Sequence, residues 1–221
     1  MTKDFAARCG VQDAARAAAC EHVLAQLKEH KIEAVRIAWC DLHGILRGKT
    51  LMPHAVPAAL LDGITMVSTL MLKDTSDRTA YKVFEPGALD ELPGFAFANN
   101  VVLLPDPATF RLLPWAQGTA WMQAQPWFAD ATPVPIDTRR VLQQALQTLA
   151  AAGYGLKCGL EVEFHIYRIV NDSLDPASAA WPGDPPQVQM IHPGYNLLAE
   201  SFADRCDEPL RIVQQIGRAH V

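Results

Sequence analysis

Two carboxylates one residue apart are the sharpest chemical feature of this chain. They lie in Gly159-Leu160-Glu161-Val162-Glu163-Phe164-His165. On a strand, side chains alternate between faces, so Leu160, Val162, Phe164 and Ile166 share one face and Glu161, Glu163 and His165 the other. Two strand rises put the glutamate Cα atoms about 7 Å apart, close enough for their oxygens to converge on one cation or to line two adjacent ones. Hard oxygen donors of this kind suit Mg²⁺ or Mn²⁺, and a cation offsets the repulsion of two like charges. A solvated sheet face is the other reading, because glutamate is ordinary there, and the spacing leaves both open. His165 is either a third ligand or a cap on the polar face.

The remaining candidates are weaker. His43 sits beside a glycine in a turn, His54 lies near a helix start, and His192 precedes Pro193-Gly194-Tyr195 in a polar connection where it could touch a ligand. These positions give no Ser-His-Asp or Cys-His arrangement. Gly44-Ile45-Leu46-Arg47-Gly48-Lys49-Thr50 ends like a phosphate-binding loop but has three residues, not four, between its first glycine and the Gly-Lys pair, so it is read as a hairpin. Arg47 and Lys49 then form a small basic patch. Trp115, Trp121 and Trp127 are read as core or interface residues.

The elements that must position these groups follow from periodicity. Ala17, Cys20, Leu24 and Leu27 make an apolar stripe that predicts a helix over 12–29. Ile32 to Trp39 is β-prone, Asp41-Leu42-His43-Gly44 is a turn, and Ile45 to Leu51 returns, which predicts a hairpin. Pro53 and Gly63 bracket a short helix over about 54–61. Thr65–Leu72, Val101–Leu104 and Thr119–Phe128 read as strands, the second stopped by Pro105-Asp106-Pro107. Beyond Pro133-Val134-Pro135 the pattern becomes helical. Asp137 or Thr138 can cap a helix whose Leu142, Ala145, Leu146 and Leu149 fall on one face. Gly153 and Gly155 end it, a strand over Lys157–Tyr167 follows, and a last helix covers Glu208–Ile216. The expected organisation is α+β: an N-terminal helix over 1–29, a domain over 30–135 and a second domain begun over 136–221.

Composition narrows the classes. The 221 residues are 50% hydrophobic and 19% charged, which is globular and not disordered. Nineteen basic against 24 acidic residues leave a net charge of −5, so no nucleic-acid footprint exists. No apolar run is long enough for a membrane span. Five widely spaced cysteines with no CxxC pair suit a reducing, cytoplasmic compartment.

Several of these segments, in one order, resemble the glutamine synthetase family. Trp39-Cys40-Asp41-Leu42-His43-Gly44-Ile45-Leu46-Arg47-Gly48-Lys49 is similar to the first hairpin of its N-terminal β-grasp domain, and Val102-Leu103-Leu104-Pro105-Asp106-Pro107 to that domain's LxPD strand. Leu113-Pro114-Trp115 and the stretch from Phe128 to Pro135 continue the match. Asp137-Thr138-Arg139-Arg140-Val141-Leu142 resembles the family's DPR helix start, with threonine for proline, and Gly159 to Phe164 its Gly-x-Glu-x-Glu-Phe strand. The resemblance implies a β-grasp-like N-terminal domain followed by the truncated start of a catalytic α/β domain. It implies ATP-dependent ligation of the glutamate γ-carboxylate to ammonia or an amine through an acyl phosphate, with Mg²⁺ or Mn²⁺ bound through Glu161 and Glu163. It also implies a homo-oligomeric ring with sites between subunits.

Two departures bear on these expectations. The family's ammonia users carry Asp-Gly-Ser-Ser and, before the LxPD strand, Ser-Asp; here Asp62-Gly63-Ile64-Thr65 and Asn99-Asn100 stand nearest. The chain is therefore more similar to members that ligate glutamate to amines or polyamines. Family members are also much longer, which marks this chain as an N-terminal fragment expected to be inactive alone. The alternatives are a non-enzymatic remnant acting as an interaction module, and an unrelated α+β metal-binding protein.

Overall fold

The computed structural model describes residues 4–161, 163–171, 175–179, 183–191 and 200–218. The chain divides into two compact units, residues 1–156 and 157–221.

In the first unit, two aspartates start the N-terminal helices. Asp4 Oδ1 accepts the Ala7 N–H at 2.7 Å to open α1 (Phe5–Arg8), and Asp13 Oδ1 accepts the Arg16 N–H at 2.7 Å to open α2 (Ala14–Glu29). The hairpin forms as expected, with β1 (Ala34–Cys40) antiparallel to β2 (Leu46–Leu51). Gly48 opposes Ala38 in that ladder, and a Cβ at Gly48 would stand 1.8 Å from the Ile37 carbonyl oxygen, so only glycine fits. A 3₁₀ turn leads into α3 (Val56–Asp62), which Gly63 ends at φ 70°. β3 (Ile64–Val67), β4 (Asn100–Pro105), β5 (Arg111–Leu112) and β6 (Thr119–Trp127) complete the sheet. Its order is β2-β1-β6-β4-β3, with β5 also on β6, and β1 runs parallel to β6 while the other pairs are antiparallel.

The apolar run of β4 is buried on both faces. Val101 and Leu103 enter the main core with Val35, Ile37, Trp39, Leu60 and Met122, whereas Val102 and Leu104 pack with Phe5, Ala6 and Trp127. The sheet is curled. Lys49 on edge strand β2 donates through Nζ to the Thr65 carbonyl on the opposite edge, β3, at 2.6 Å. A charged lysine thus occupies a main-chain acceptor that an edge would otherwise offer to another strand.

α4 (Thr138–Ala151) is amphipathic as expected, but the first unit holds it by its polar side. Arg139 pairs with Asp106 at 2.7 Å, Gln125 donates to Gln143 at 2.8 Å, and the Arg140 guanidinium lies 4.2 Å from the Trp127 ring centroid. None of its residues is buried, and Val141 and Leu142 remain 51% and 54% exposed. α4 lies within the first compact unit.

In the second unit, β7 (Tyr167–Ile169) pairs antiparallel with β8 (Val188–Met190), and α5 spans Glu200–Arg218. The helix expected over 208–216 is the second half of α5. Pro209 resembles a helix-start residue in sequence, yet here it lies inside the helix. Of the strand expected over 157–167, the described residues 157–161 and 163–166 carry no ladder, and its last residue, Tyr167, is in β7. Alternation makes a strand only where a neighbour supplies hydrogen bonds, and among the described residues β8 alone pairs there, from residue 167 onward. No helix among the described residues is long and apolar enough to cross a membrane.

Candidate functional site

Glu161, Glu163 and His165 are all exposed, in a segment without strand geometry. Of its apolar residues, Leu160 is 90% and Phe164 55% exposed. His165 stacks on Tyr167, with ring centroids 6.0 Å apart and 29° between the planes, rather than turning toward a shared site. Among the described residues, no group of three or more His, Cys, Asp or Glu side chains could hold a metal ion. The two glutamates offer the hard oxygen donors that Mg²⁺ or Mn²⁺ takes, and they can fill part of such a coordination sphere. His192 lies outside the described residues.

The better-ordered constellation is the hairpin end. Asp41 is 2% exposed, and its carboxylate gathers three donors: the His43 and Ile45 backbone N–H groups on Oδ1, both at 2.9 Å, and Arg47 Nε on Oδ2 at 2.7 Å. Burial alone would push this carboxyl up. Arg47 and the two backbone N–H groups outweigh it and hold the group below the usual carboxylate range. Arg47 reaches on to Asp77 at 2.6 Å, and His43 Nε2 meets the Lys73 carbonyl at 2.8 Å, which requires the tautomer protonated at Nε2. The hairpin end is thereby tied to the turn after β3. The basic patch read from Arg47 and Lys49 is consumed in these internal bonds. The role of Asp41 is a missed reading: aspartate at the head of a turn ending in glycine signals a side chain that accepts local N–H groups. Asp77, 30 residues from Arg47 in sequence, had no such signal.

Asn99 is also fixed. It accepts from Ser68 Oγ at 2.6 Å and donates to the Gly94 carbonyl at 3.4 Å. Of the tryptophans, Trp127 is buried and Trp115 is exposed. His54 is exposed in the 3₁₀ turn before α3.

No protein-family model matches the chain. Among curated proteins it is 34% identical over 203 residues to the gamma-glutamylanilide synthase of an Acinetobacter species, covering 89% of this chain and 41% of that protein. It is 27% identical over 193 residues to the glutamate–isopropylamine ligase of a Pseudomonas species, covering 86% and 40%. It is 26% identical over 157 residues to the glutamine synthetase of Methanosarcina mazei, covering 67% and 30%. The chain thus spans less than half the length of these relatives. Among solved structures, ligand-free GmaS superposes with a TM-score of 0.52 at 17% identity, over 87% of this chain and 38% of that one, a likeness of fold. With the motifs in register and 34% identity to a curated relative over 89% of its length, the chain belongs to the glutamine synthetase family.

Proposed function

We propose that the whole protein of which this chain spans a part ligates the glutamate γ-carboxylate to an amine, at the expense of ATP, through a γ-glutamyl phosphate. The observation that carries this reading is the 34% identity to gamma-glutamylanilide synthase across 89% of the chain, which an unrelated metal-binding protein would not have. A carboxylate is a poor acyl donor; phosphorylation gives it a leaving group that the amine nitrogen displaces. Amines or polyamines are favoured over ammonia by Asn99-Asn100 and by the relatives named for an anilide product and an isopropylamine substrate.

In this reading residues 30–135 are a β-grasp-like domain and residues 136–221 begin the catalytic domain. Glu161 and Glu163 would hold Mg²⁺ or Mn²⁺, which when bound offsets charge on the transferring phosphoryl group. The two glutamates alone leave such an ion largely hydrated. The protein is cytoplasmic and assembles as a homo-oligomeric ring, and the 221-residue chain alone lacks turnover.

The test is phosphate release with ATP, Mg²⁺ and glutamate, comparing ammonia, isopropylamine, aniline and a diamine, in the 221-residue chain and in the longest protein its gene encodes. Amine-dependent release by the longer protein alone is expected. Release stimulated most by ammonia overturns the amine assignment, and glutamate-dependent release by the short chain overturns its inactivity. Glu161→Ala should weaken Mn²⁺ binding in a direct titration; unchanged binding removes Glu161 from the metal site.

A further inference from the structure

The first turn of α4 brings together polar groups that are buried without partners. Asp137 is 2% exposed, and its Oδ2 has no hydrogen-bond partner. Arg140, one turn on and on the same helix face, buries Nε and Nη2 without partners, and Trp127 buries an unpartnered Nε1. The guanidinium lies over the indole, 4.2 Å from its centroid, and leaves Asp137 Oδ2 without a partner. A buried carboxyl with one oxygen unpartnered, close to a guanidinium with two nitrogens unpartnered, is costly, and low local polarity strengthens the attraction between them.

We propose that Arg140 is a two-position latch on α4, moving between the face of Trp127 and the carboxyl of Asp137. The stack holds the helix start against the end of β6. The pair satisfies Asp137 Oδ2 and the guanidinium together and frees the indole. The charge on Asp137 selects the position. Burial pushes this carboxyl up, with Arg140, Arg139 and the backbone N–H groups of Arg139 and Arg140 opposing it. Burial in turn lowers the Arg140 guanidinium. Cys9, at the end of α1, also faces Arg140, with Arg8 and Arg16 around that thiol, and Arg139 is itself paired with Asp106. The Cys9 thiol, raised to about 11 by burial, stays neutral across the range in which Asp137 ionises.

The experiment is nitrogen-15 NMR of the 221-residue chain, reading the Trp127 indole and Arg140 Nε–H signals, assigned with W127F and R140K. Both signals are expected to move together with pH, with a midpoint above the ordinary carboxylate value. At neutral pH, Asp137→Asn should shift both toward their low-pH positions and abolish the titration. An unchanged Trp39 indole signal reports that the variant is folded. A Trp127 signal flat with pH, identical in D137N at neutral pH, overturns the latch, as does a titration that persists in D137N. If D137N fails to fold, the wild-type titration decides alone.

Discussion

Replacing Asp41 by asparagine should destabilise the first unit by about 2–3 kcal/mol at neutral pH, because a buried ion pair that loses one partner leaves the other charge uncompensated. The structure puts this below the upper end of that effect. The asparagine carbonyl can still accept from the His43 and Ile45 N–H groups, and Arg47 keeps its second partner, Asp77. What is lost is the charge-assisted bond to Arg47 Nε at 2.7 Å, replaced by an amide N–H facing another donor. For a unit of this size the loss corresponds to roughly 4–12 °C in Tm. The sign with pH follows from the depressed carboxyl. Its stabilisation is complete above the unfolded value near ~3.9 and disappears as pH falls through the lower folded value. The wild type should therefore exceed D41N at pH 7 and converge with it in acid. Urea unfolding at several pH values, with hydrogen exchange of the Ile45 amide as the local probe, measures both. A loss below about 0.5 kcal/mol, the range of a surface substitution, or a difference independent of pH, refutes the argument.

Gly48→Ala should cost about 3 kcal/mol or unpair β1 from β2, seen as lost exchange protection in residues 35–40, because its Cβ would meet the Ile37 carbonyl oxygen at 1.8 Å. Lys49→Met should lower stability by about 1 kcal/mol and favour association through the unblocked β3 edge, measured by light scattering. Leu142→Gln with Leu146→Gln should change stability by less than about 0.5 kcal/mol each, since both side chains are exposed in the first unit. A loss of about 2 kcal/mol or more in urea unfolding would place them in a core.

Local chemistry made much of the first unit legible. The Asp41–Gly44 turn and the Gly63 stop act within a few residues of themselves, a short apolar run ended by Pro105-Asp106-Pro107 marks β4, and helical patterning marks α2 and α4. The family could be read for the same reason, since its motifs are short contiguous strings. Other features depend on residues far apart in sequence. The parallel pairing of β1 with β6, the closure of the sheet by Lys49 and Thr65, and the bond from Arg47 to Asp77 exist only once the chain has turned back on itself. The α4 pattern correctly identified a helix with an apolar face but not the direction of that face. Arg139, Arg140 and Gln143 found partners in Asp106, Trp127 and Gln125, and those tethers point the leucines outward. Glu161 and Glu163 show the same division. Alternation is a property of the sequence, whereas a strand is a property of a pair, and the described residues give 157–166 no neighbour to complete its hydrogen bonds.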